Sequence, residues 1–315
     1  MSENIIQIGA SRSEPPARRQ GRPDWLRIRL TTPPEYHKVK KLVKRLKLNT
    51  VCEDARCPNI YECWGEHGTA TFMILGDICT RRCGFCSVTS GRPNAGVDED
   101  EPAHVAEAVS VMGLKHAVIT SVDRDDLPDG GARHFANVIE AIHQANPGTA
   151  VEVLTPDFRG VDEAADILLG ARPEVFSHNM ETVPRMYRKA RPGSRYERSL
   201  GLLGEAARRR DAGEYEGRVK TGIMVGIGET TEEVYTTLDD IRGAGVEVMT
   251  LGQYLQPTPK HLPVDRWVTP DEFAEYKRYA MEIGFLHCES GPLVRSSYHA
   301  HEHVPTPTEP LAAAQ

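Results

Sequence analysis

The sequence predicts an α/β fold: a partial (βα)6 barrel of the TIM type with an N-terminal and a C-terminal extension. Three observations carry this prediction. Short β-rich runs alternate with helical stretches, six such units lie between residues 69 and 285, and polar or glycine-containing sequence follows every run. Repeated strand–helix units form parallel sheets with right-handed crossovers, and six units are fewer than the eight that close a full barrel. A doubly wound open sheet is the alternative architecture.

The predicted strands are short runs rich in β-branched and apolar residues. They cover residues 69–75, 115–121, 150–155, 174–179, 219–226 and 246–254. The predicted helices lie between and after them, at 101–112, 131–145, 161–170, 183–210, 231–243 and 270–283. The last two helices have recognisable N-caps, since Thr230 or Thr231 precedes one and the pair Thr269-Pro270 opens the other.

Unusual sequence directly follows each predicted strand. A cysteine-rich stretch, "DICTRRCGFC", follows the first, and the next five are followed by "TSVDRDDL", "TPDF", "SHNMET", "GIGET" and "GQYLQP". Barrel enzymes place their chemistry at the C-terminal ends of the strands. Polar turns are also ordinary in α/β proteins, so it is the succession of six such loops that favours an active site at this end.

Composition and charge narrow the possible classes of function. Of the 315 residues, 39% are hydrophobic and 26% are charged, which is ordinary for a soluble globular protein. The net charge of −7 does not favour a nucleic-acid binder, and no apolar run approaches the roughly 20 residues that span a bilayer. Seven cysteines, six of them in two tight clusters, indicate metal binding in a reducing compartment, here the cytoplasm.

We expect five segments along the chain. They are a disordered N-terminal segment (1–24), an N-terminal extension with the first cysteine cluster (25–68), the barrel (69–285), a C-terminal segment with the sequence "RSSY" (286–300) and a flexible tail (301–315). We expect the polar N-terminal segment to contain neither a secretory signal nor a typical leader.

The second cysteine cluster has the spacing C-x3-C-x2-C, formed by Cys79, Cys83 and Cys86. Thiolates suit zinc and iron–sulfur clusters. Zinc sites usually pair cysteines as CxxC and close with four ligands, whereas this stretch offers three. A four-iron cluster held by three thiolates leaves one iron open to a further ligand. The spacing therefore favours an iron–sulfur cluster, with zinc or structural thiols as the alternative.

With Phe85 directly before the last cysteine, this stretch resembles the motif of the radical S-adenosylmethionine (SAM) enzymes. The resemblance implies a [4Fe–4S] cluster on Cys79, Cys83 and Cys86 whose open iron chelates SAM. It also implies reductive cleavage of SAM to a 5′-deoxyadenosyl radical, which abstracts hydrogen from an unactivated C–H bond, and a partial or full barrel.

The first cysteine cluster has the spacing C-x4-C-x5-C, formed by Cys52, Cys57 and Cys63. This spacing fits neither a zinc knuckle nor a ferredoxin run. Together with "RSSYHA" at 295–300 it resembles the lipoyl synthases, and the likeness extends over roughly residues 50–300.

The family resemblance implies an auxiliary [4Fe–4S] cluster on this first triad, with Ser297 as the fourth ligand. From the residues alone, Cys288 is the better choice, because a thiolate is the stronger iron ligand. The resemblance instead leaves Cys288 as a buried apolar cysteine. A weak hydroxyl ligand suits a cluster that must lose iron when it gives up sulfide.

The resemblance further implies insertion of two sulfur atoms at C6 and C8 of a protein-bound octanoyl-lysine chain. The implied cofactors are SAM and two [4Fe–4S] clusters, of which the auxiliary one is the sacrificial sulfur source. The implied partners are an octanoylated lipoyl carrier domain or H-protein, a flavodoxin- or ferredoxin-type electron donor, and an iron–sulfur carrier for cluster repair. No nucleic acid or membrane is expected as a partner.

Two other functions compete with this one. A sulfur-inserting enzyme of the biotin synthase type is disfavoured by the first triad combined with "RSSY". A non-catalytic carrier of two clusters would need eight cysteine ligands, and the two triads provide six.

Candidate contacts to SAM lie at the predicted strand ends. Besides Phe85, they are Asn179 and Glu181 in "SHNMETV", and Gly226 in "GIGET", where the backbone could approach adenine and ribose. One arginine is expected to reach the SAM carboxylate, and Arg191 is the choice among Arg191, Arg195 and Arg198. Ordinary turns and surface ion pairs are the alternative explanation of these residues.

A basic helix is predicted at residues 37–48, "HKVKKLVKRLKL", which contains six Lys or Arg and no acidic residue. Val39, Leu42, Val43 and Leu46 share one face. The basic face is either simply solvated or a docking patch for an acidic partner such as a carrier domain or an electron donor.

Overall fold

A computed structural model describes residues 21–27, 34–54, 57, 59–65, 70–94, 96–298 and 300–304. Its strands are β1 (Asn49–Thr50), β2 (Thr71–Ile74), β3 (Ile78–Cys79), β4 (Thr89–Ser90), β5 (His116–Ser121), β6 (Ala150–Leu154), β7 (Val175–Ser177), β8 (Arg218–Val225), β9 (Val248–Gln253) and β10 (His287–Gly291). Its α-helices are α1 (Pro34–Arg45), α2 (Val51–Asp54), α3 (Ile60–Gly65), α4 (Glu101–Met112), α5 (Ala132–Ala145), α6 (Asp162–Gly170), α7 (Tyr187–Ala190), α8 (Tyr196–Asp211), α9 (Thr231–Gly243) and α10 (Pro270–Glu282). Short 3-10 turns occur at Asp24–Leu26, Phe158–Gly160, Pro184–Met186 and Ala300–His303.

The central sheet has eight strands in the order β1-β2-β5-β6-β7-β8-β9-β10. β2 and β5 to β10 run parallel, whereas β1 pairs antiparallel with β2. β3 and β4 form a separate parallel pair. The parallel strands follow one another in chain order, as in a barrel, whereas a doubly wound sheet reverses its order at a switch point. The predicted partial barrel is therefore confirmed.

The sheet has two strands that the sequence did not predict. β10 lies inside the predicted C-terminal segment and continues the parallel sheet, with Cys288 opposite Met249 of β9. Its sequence, "HCESG", lacks the β-branched residues that mark the other strands. β1 has only two residues and belongs to the N-terminal extension. The parallel sheet consequently reaches Gly291, beyond the predicted end of the barrel at residue 285.

The helix predicted at 183–210 is in fact three pieces: the turn at Pro184–Met186, α7 and α8. The break at 191–195 contains Pro192 and Gly193, which disfavour a continuous helix. The predicted N-caps are confirmed, because Thr230 and Thr269 each form a complete capping box with a glutamate three residues later. Here the local sequence alone determines where a helix begins.

The basic helix exists as α1, and its predicted apolar face packs against the domain. Val39, Leu42, Val43 and Leu46 are all buried. The ring of Tyr36 stacks on that of Trp64 in α3, with centroids 5.5 Å apart. α1 therefore packs against α3 within the N-terminal extension and also contacts α4 of the barrel.

None of the helices in the described ranges is long and apolar enough to cross a membrane. Most of the predicted N-terminal segment (1–24) and of the predicted tail (301–315) lies outside the described residues.

Candidate active site

The first site is the loop that begins in β3 and holds Cys79, Cys83 and Cys86. The backbone N–H groups of Arg81 and Asp123 both donate to the Cys79 sulfur, each at 3.4 Å. The N–H of Cys86 donates to the carbonyl oxygen of Cys83 at 3.2 Å, which places these two cysteines in one turn. Hydrogen bonds to sulfur favour the thiolate, the form that binds metal.

Burial keeps these thiols protonated when no metal is bound. It raises the pKa of Cys79 to about 11, with the nearby Asp123 carboxylate as the second cause. Burial raises the pKa of Cys83 to about 12 and also raises that of Cys86. Because thiolates are the iron ligands, assembly of a cluster here must release protons.

No group of three or more His, Cys, Asp or Glu side chains among the described residues is arranged to hold a single metal ion. The thiolates of a four-iron cluster each bind a different iron, so they do not have to converge on one point. Three half-buried cysteines on one loop are compatible with that kind of group.

Arg81 lies between the cysteines and ties their loop to the ends of β5 and β6. Its side chain is only 3% exposed, and it donates to both carboxylate oxygens of Asp125 at 2.8 Å. Its Nη1 lies 2.7 Å from Asp157 Oδ1 and 3.2 Å from Asp123 Oδ1. Although burial alone would raise the pKa of Asp157, the surrounding cations, Arg81 first, hold it at about 2. The arginine therefore ties the cysteine loop to three carboxyl groups at the ends of β5 and β6.

Arg81 and its partners are site residues that were not predicted from the sequence. Two signals were present: an arginine inside the cysteine loop, and acidic residues after two neighbouring strands, in "SVDRDDL" and "TPDF". The carboxyl ends of adjacent parallel strands meet at one edge, so an arginine in a third loop at that edge can reach both.

Three of the predicted SAM contacts come together next to this loop. Asn179 Nδ2 donates to Glu181 Oε1 at 3.2 Å, and Arg191 Nη1 donates to the Asn179 carbonyl oxygen at 2.7 Å. Glu181 has a φ of 68°, which is uncommon outside glycine and occurs preferentially at functional sites. The Arg191 charge also acts on Cys83, where it partly opposes the effect of burial on the thiol pKa.

The other predicted SAM contacts are placed less distinctively. Phe85 is partly buried and packs against the hydrophobic core. Gly226 has a φ of 93°, and a Cβ there would lie 2.2 Å from Gln253 Nε2, so contacts within the protein already require a glycine. Arg198 is bound to Asp157, and Arg195 is the N-cap residue of α8. Of the three arginines considered, Arg191 is thus the one that lies beside Asn179 and Glu181.

The second site is a partly open cavity lined by Cys52, Cys57, Cys63 and Ser297. Cys52 lies in α2 and Cys63 in α3, with Cys57 between these helices. Ser297 comes from the C-terminal segment. Four further residues line the cavity and were not predicted from the sequence: Asn59, Thr71, Arg295 and Tyr298.

Backbone and side-chain hydrogen bonds hold this cavity together. The N–H of Cys57 donates to the Cys52 carbonyl oxygen at 3.0 Å, and that of Cys63 to the Asn59 carbonyl oxygen at 2.9 Å. Asn59 Nδ2 donates to the Leu293 carbonyl oxygen at 2.9 Å and so joins the N-terminal extension to the C-terminal segment. Burial raises the pKa of Cys52 to about 12.

Cys288 is buried in β10, with 1% of its surface exposed, and is not among the residues that line the cavity. The prediction that it is a buried apolar cysteine is confirmed. The structure thus brings Ser297, and not Cys288, to the three cysteines of the first triad.

The barrel and its cysteine loop define the class of protein. A model of the radical SAM superfamily matches residues 73–241, more than half of the chain. Two crystal structures share the fold: Streptococcus suis SuiB bound to S-adenosylmethionine (TM-score 0.54, 12% identity, 81% of this chain and 60% of that chain) and methylornithine synthase (PylB; TM-score 0.50, 12% identity, 83% of each chain). The class is that of the radical SAM proteins, which implies one [4Fe–4S] cluster and SAM as cofactors.

The extension and the full-length relatives define the family. A model of the N-terminal domain of lipoyl synthase matches residues 9–57. The lipoyl synthase of Rubrobacter xylanophilus is 56% identical over 284 residues, which cover 90% of this chain and 87% of the relative. That of Koribacter versatilis is 51% identical over 311 residues, 99% of both chains. The chain belongs to the lipoyl synthase family, whose members are sulfur-inserting enzymes of the radical SAM class.

Proposed function

We propose that this enzyme inserts sulfur at C6 and C8 of an octanoyl chain on a carrier-domain lysine, and that the sulfur comes from an auxiliary [4Fe–4S] cluster in the second site. One observation carries the proposal: three cysteines from the N-terminal extension and Ser297 from the other end of the chain line one cavity. A shared cavity is what a common four-iron ligand set requires.

The chemistry of this cavity fits an anionic cluster. Three thiols become thiolates when iron binds, and the hydroxyl of Ser297 adds a fourth, weaker ligand. Arg295 also lines the cavity, and its Nη1 donates to the Val294 carbonyl oxygen at 2.6 Å. The ion pairs found within the described residues include none between Arg295 and a carboxylate. A cation here would balance the negative charge of a bound cluster.

The first site is proposed to hold the radical-generating cluster on Cys79, Cys83 and Cys86. When bound, the two clusters supply the electron that cleaves SAM and the sulfur that is inserted. The protein groups around the first site position the cosubstrate: Asn179, Glu181 and Arg191 offer an amide, a carboxylate and a guanidinium to its polar groups. Phe85 and Gly226 are proposed as further contacts at the same end of the barrel.

The proposed protein substrate is an octanoylated lipoyl carrier domain or H-protein that docks on α1. Lys40, Lys41, Lys44 and Lys47 are exposed on this helix or just after it, in a chain whose net charge is negative. Opposite charge on a partner would steer it to this face. A flavodoxin- or ferredoxin-type donor and an iron–sulfur carrier are proposed to supply electrons and to rebuild the auxiliary cluster. We propose the cytoplasm as the compartment because all seven cysteines are free thiols.

Two triple variants test the proposed division of labour. Anaerobically reconstituted wild-type protein should bind about eight irons per chain, as two four-iron clusters. Replacement of Cys79, Cys83 and Cys86 with alanine should leave about four irons and abolish SAM cleavage. Replacement of Cys52, Cys57 and Cys63 should also leave about four irons, but it should spare SAM cleavage and remove sulfur insertion. Lipoyl product from the latter variant would exclude the cavity as the sulfur source.

A further inference from the structure

The C-terminal segment at 292–298 is fixed at three points. Asn59 Nδ2 binds the Leu293 carbonyl oxygen at 2.9 Å. The Val294 carbonyl oxygen lies 2.2 Å from the position that a Cβ on Gly252 would occupy, so only a glycine in β9 permits this close approach. Asn179 Nδ2 donates to Ser296 Oγ at 2.8 Å. The last contact joins the segment to the group of proposed SAM contacts.

Asn179 therefore links the proposed SAM contacts to the segment that carries Ser297. Its Nδ2 donates to Ser296 and to Glu181, which uses both of its N–H groups. Its Oδ1 is buried and accepts no hydrogen bond from the described residues. A buried acceptor without a donor is destabilising, and a hydroxyl or ammonium group of a bound cosubstrate would supply that donor.

We propose that Asn179 and Ser296 form a positioning pair that couples cosubstrate binding at the first site to the placement of Ser297 at the second. The planar amide turns as one unit, so a ligand that holds Oδ1 also fixes the direction of Nδ2. Nδ2 holds Ser296, and Ser296 is joined by one peptide bond to Ser297. This inference rests on the proposed function, because it assumes that Ser297 is a ligand of the auxiliary cluster.

Coupling of this kind is reciprocal. If SAM binding orders the segment through the Asn179–Ser296 contact, the ordered segment must favour SAM binding by the same factor. A purely structural contact would instead stabilise the segment equally with and without SAM. The two cases differ in the effect of SAM on the segment rather than in the segment's stability.

Hydrogen exchange on the holoenzyme tests the coupling, with SAM added in the absence of reductant so that it is not cleaved. In wild-type protein, SAM should increase the protection of the backbone amides at 293–298 several-fold. In Ser296→Ala this increase should disappear, while the iron content stays at the wild-type level. Ser296→Thr, which keeps the hydroxyl, should recover it. Under turnover, Ser296→Ala should cleave several times more SAM per lipoyl product than wild type.

An equal increase in protection in wild type and Ser296→Ala would overturn the coupling, as would failure of Ser296→Thr to recover it. If Ser296→Ala lost iron, Ser296→Thr would decide between the two cases. A normal iron content and a normal increase in amide protection with SAM in Ser296→Thr would still assign the coupling to the hydroxyl group. A wild-type protein with only four irons would instead refute the auxiliary cluster. The exchange experiment would then still report whether SAM orders the segment, so the two failures are distinguishable.

Discussion

Arg81 and Asp157 form a buried ion pair between the cysteine loop and the end of β6, with Nη1 2.7 Å from Oδ1 and the side chains 3% and 0% exposed. Charges this deep in a protein are stable only when each has its partners, and removal of one partner typically costs about 3–5 kcal/mol. The position of the cysteine loop is therefore coupled to the stability of the barrel end on which it lies.

Arg81→Met should lower the free energy of unfolding by about 3 kcal/mol or more, since it removes the cation shared by Asp123, Asp125 and Asp157. Asp157 would keep its ion pair with Arg198. Arg81→Lys keeps the charge but loses the bidentate contact with Asp125. It should therefore be more stable than Arg81→Met and still bind the first cluster poorly. Urea denaturation and iron content measure the two effects. The control is Arg82→Met at the exposed neighbouring residue. Similar losses in both Met variants would show that Arg81 has no special role.

His178 makes the free energy of unfolding of the protein depend on pH. It is fully buried, with Nδ1 2.8 Å from the Thr155 carbonyl oxygen and Nε2 2.9 Å from Ser199 Oγ. Burial, helped by the nearby Arg191 charge, lowers its pKa to about 4. The unfolded chain therefore takes up this proton at a higher pH than the folded protein does, and the stabilisation is complete above about pH 6.5.

As the pH falls from about 6.5 to 4, the unfolding free energy should drop by about 3 kcal/mol on account of His178 alone. His178→Gln should be less stable at pH 7 but should lose less stability on acidification. Denaturant unfolding at several pH values measures both. The matched control, His37→Gln on the exposed side of α1, should keep the wild-type slope. An unchanged slope in His178→Gln would contradict this account.

Arg295 should tune the auxiliary cluster. In a background where Cys79, Cys83 and Cys86 are alanine, only the second site can hold a cluster. Arg295→Gln should then show a more negative midpoint potential than the parent, because a nearby cation stabilises the reduced, more negative form. Arg295→Lys should stay close to the parent. Potentiometric titration followed by electron paramagnetic resonance gives these values, and equal potentials in all three proteins would rule out a charge role.

The basic face of α1 should accelerate docking of the carrier. Replacing Lys40, Lys44 and Lys47 with glutamate should slow turnover of a whole acidic carrier domain and hardly affect a short octanoyl-lysine peptide. Wild-type turnover of the domain should also fall with added salt, because exposed charges act within about 8 Å at physiological ionic strength. The control is Lys115→Glu, at an exposed residue directly before the N-terminal end of β5. Parallel losses on domain and peptide would make α1 an ordinary solvated helix.

Much of the fold could be predicted because its signals are local. The capping boxes at Thr230 and Thr269 and the β-branched strands each depend on a few neighbouring residues. β10 could not, because its short polar sequence becomes a strand only through pairing with β9. The proximity of the first triad to Ser297 also depends on tertiary structure and could not be predicted from local sequence. The greater affinity of a thiolate for iron favoured Cys288, whereas the path of the chain after β10 brings the serine to the cavity.

We propose that Ser297 is a weak iron ligand whose release allows the auxiliary cluster to give up sulfur. A thiolate holds iron more firmly than a hydroxyl does. Ser297→Cys should therefore assemble both clusters and bind about eight irons. The control is Ser296→Ala, at the neighbouring residue. This variant should still make lipoyl product, although it should cleave more SAM per product.

The decisive measurement is the mass of the product that Ser297→Cys makes from an octanoylated peptide under anaerobic turnover, with iron content and Mössbauer spectra confirming both clusters. We predict that this variant still cleaves SAM but yields little or no lipoyl product. A full yield of lipoyl product would contradict the claim, because it would show that sulfur insertion does not depend on a weak ligand at residue 297.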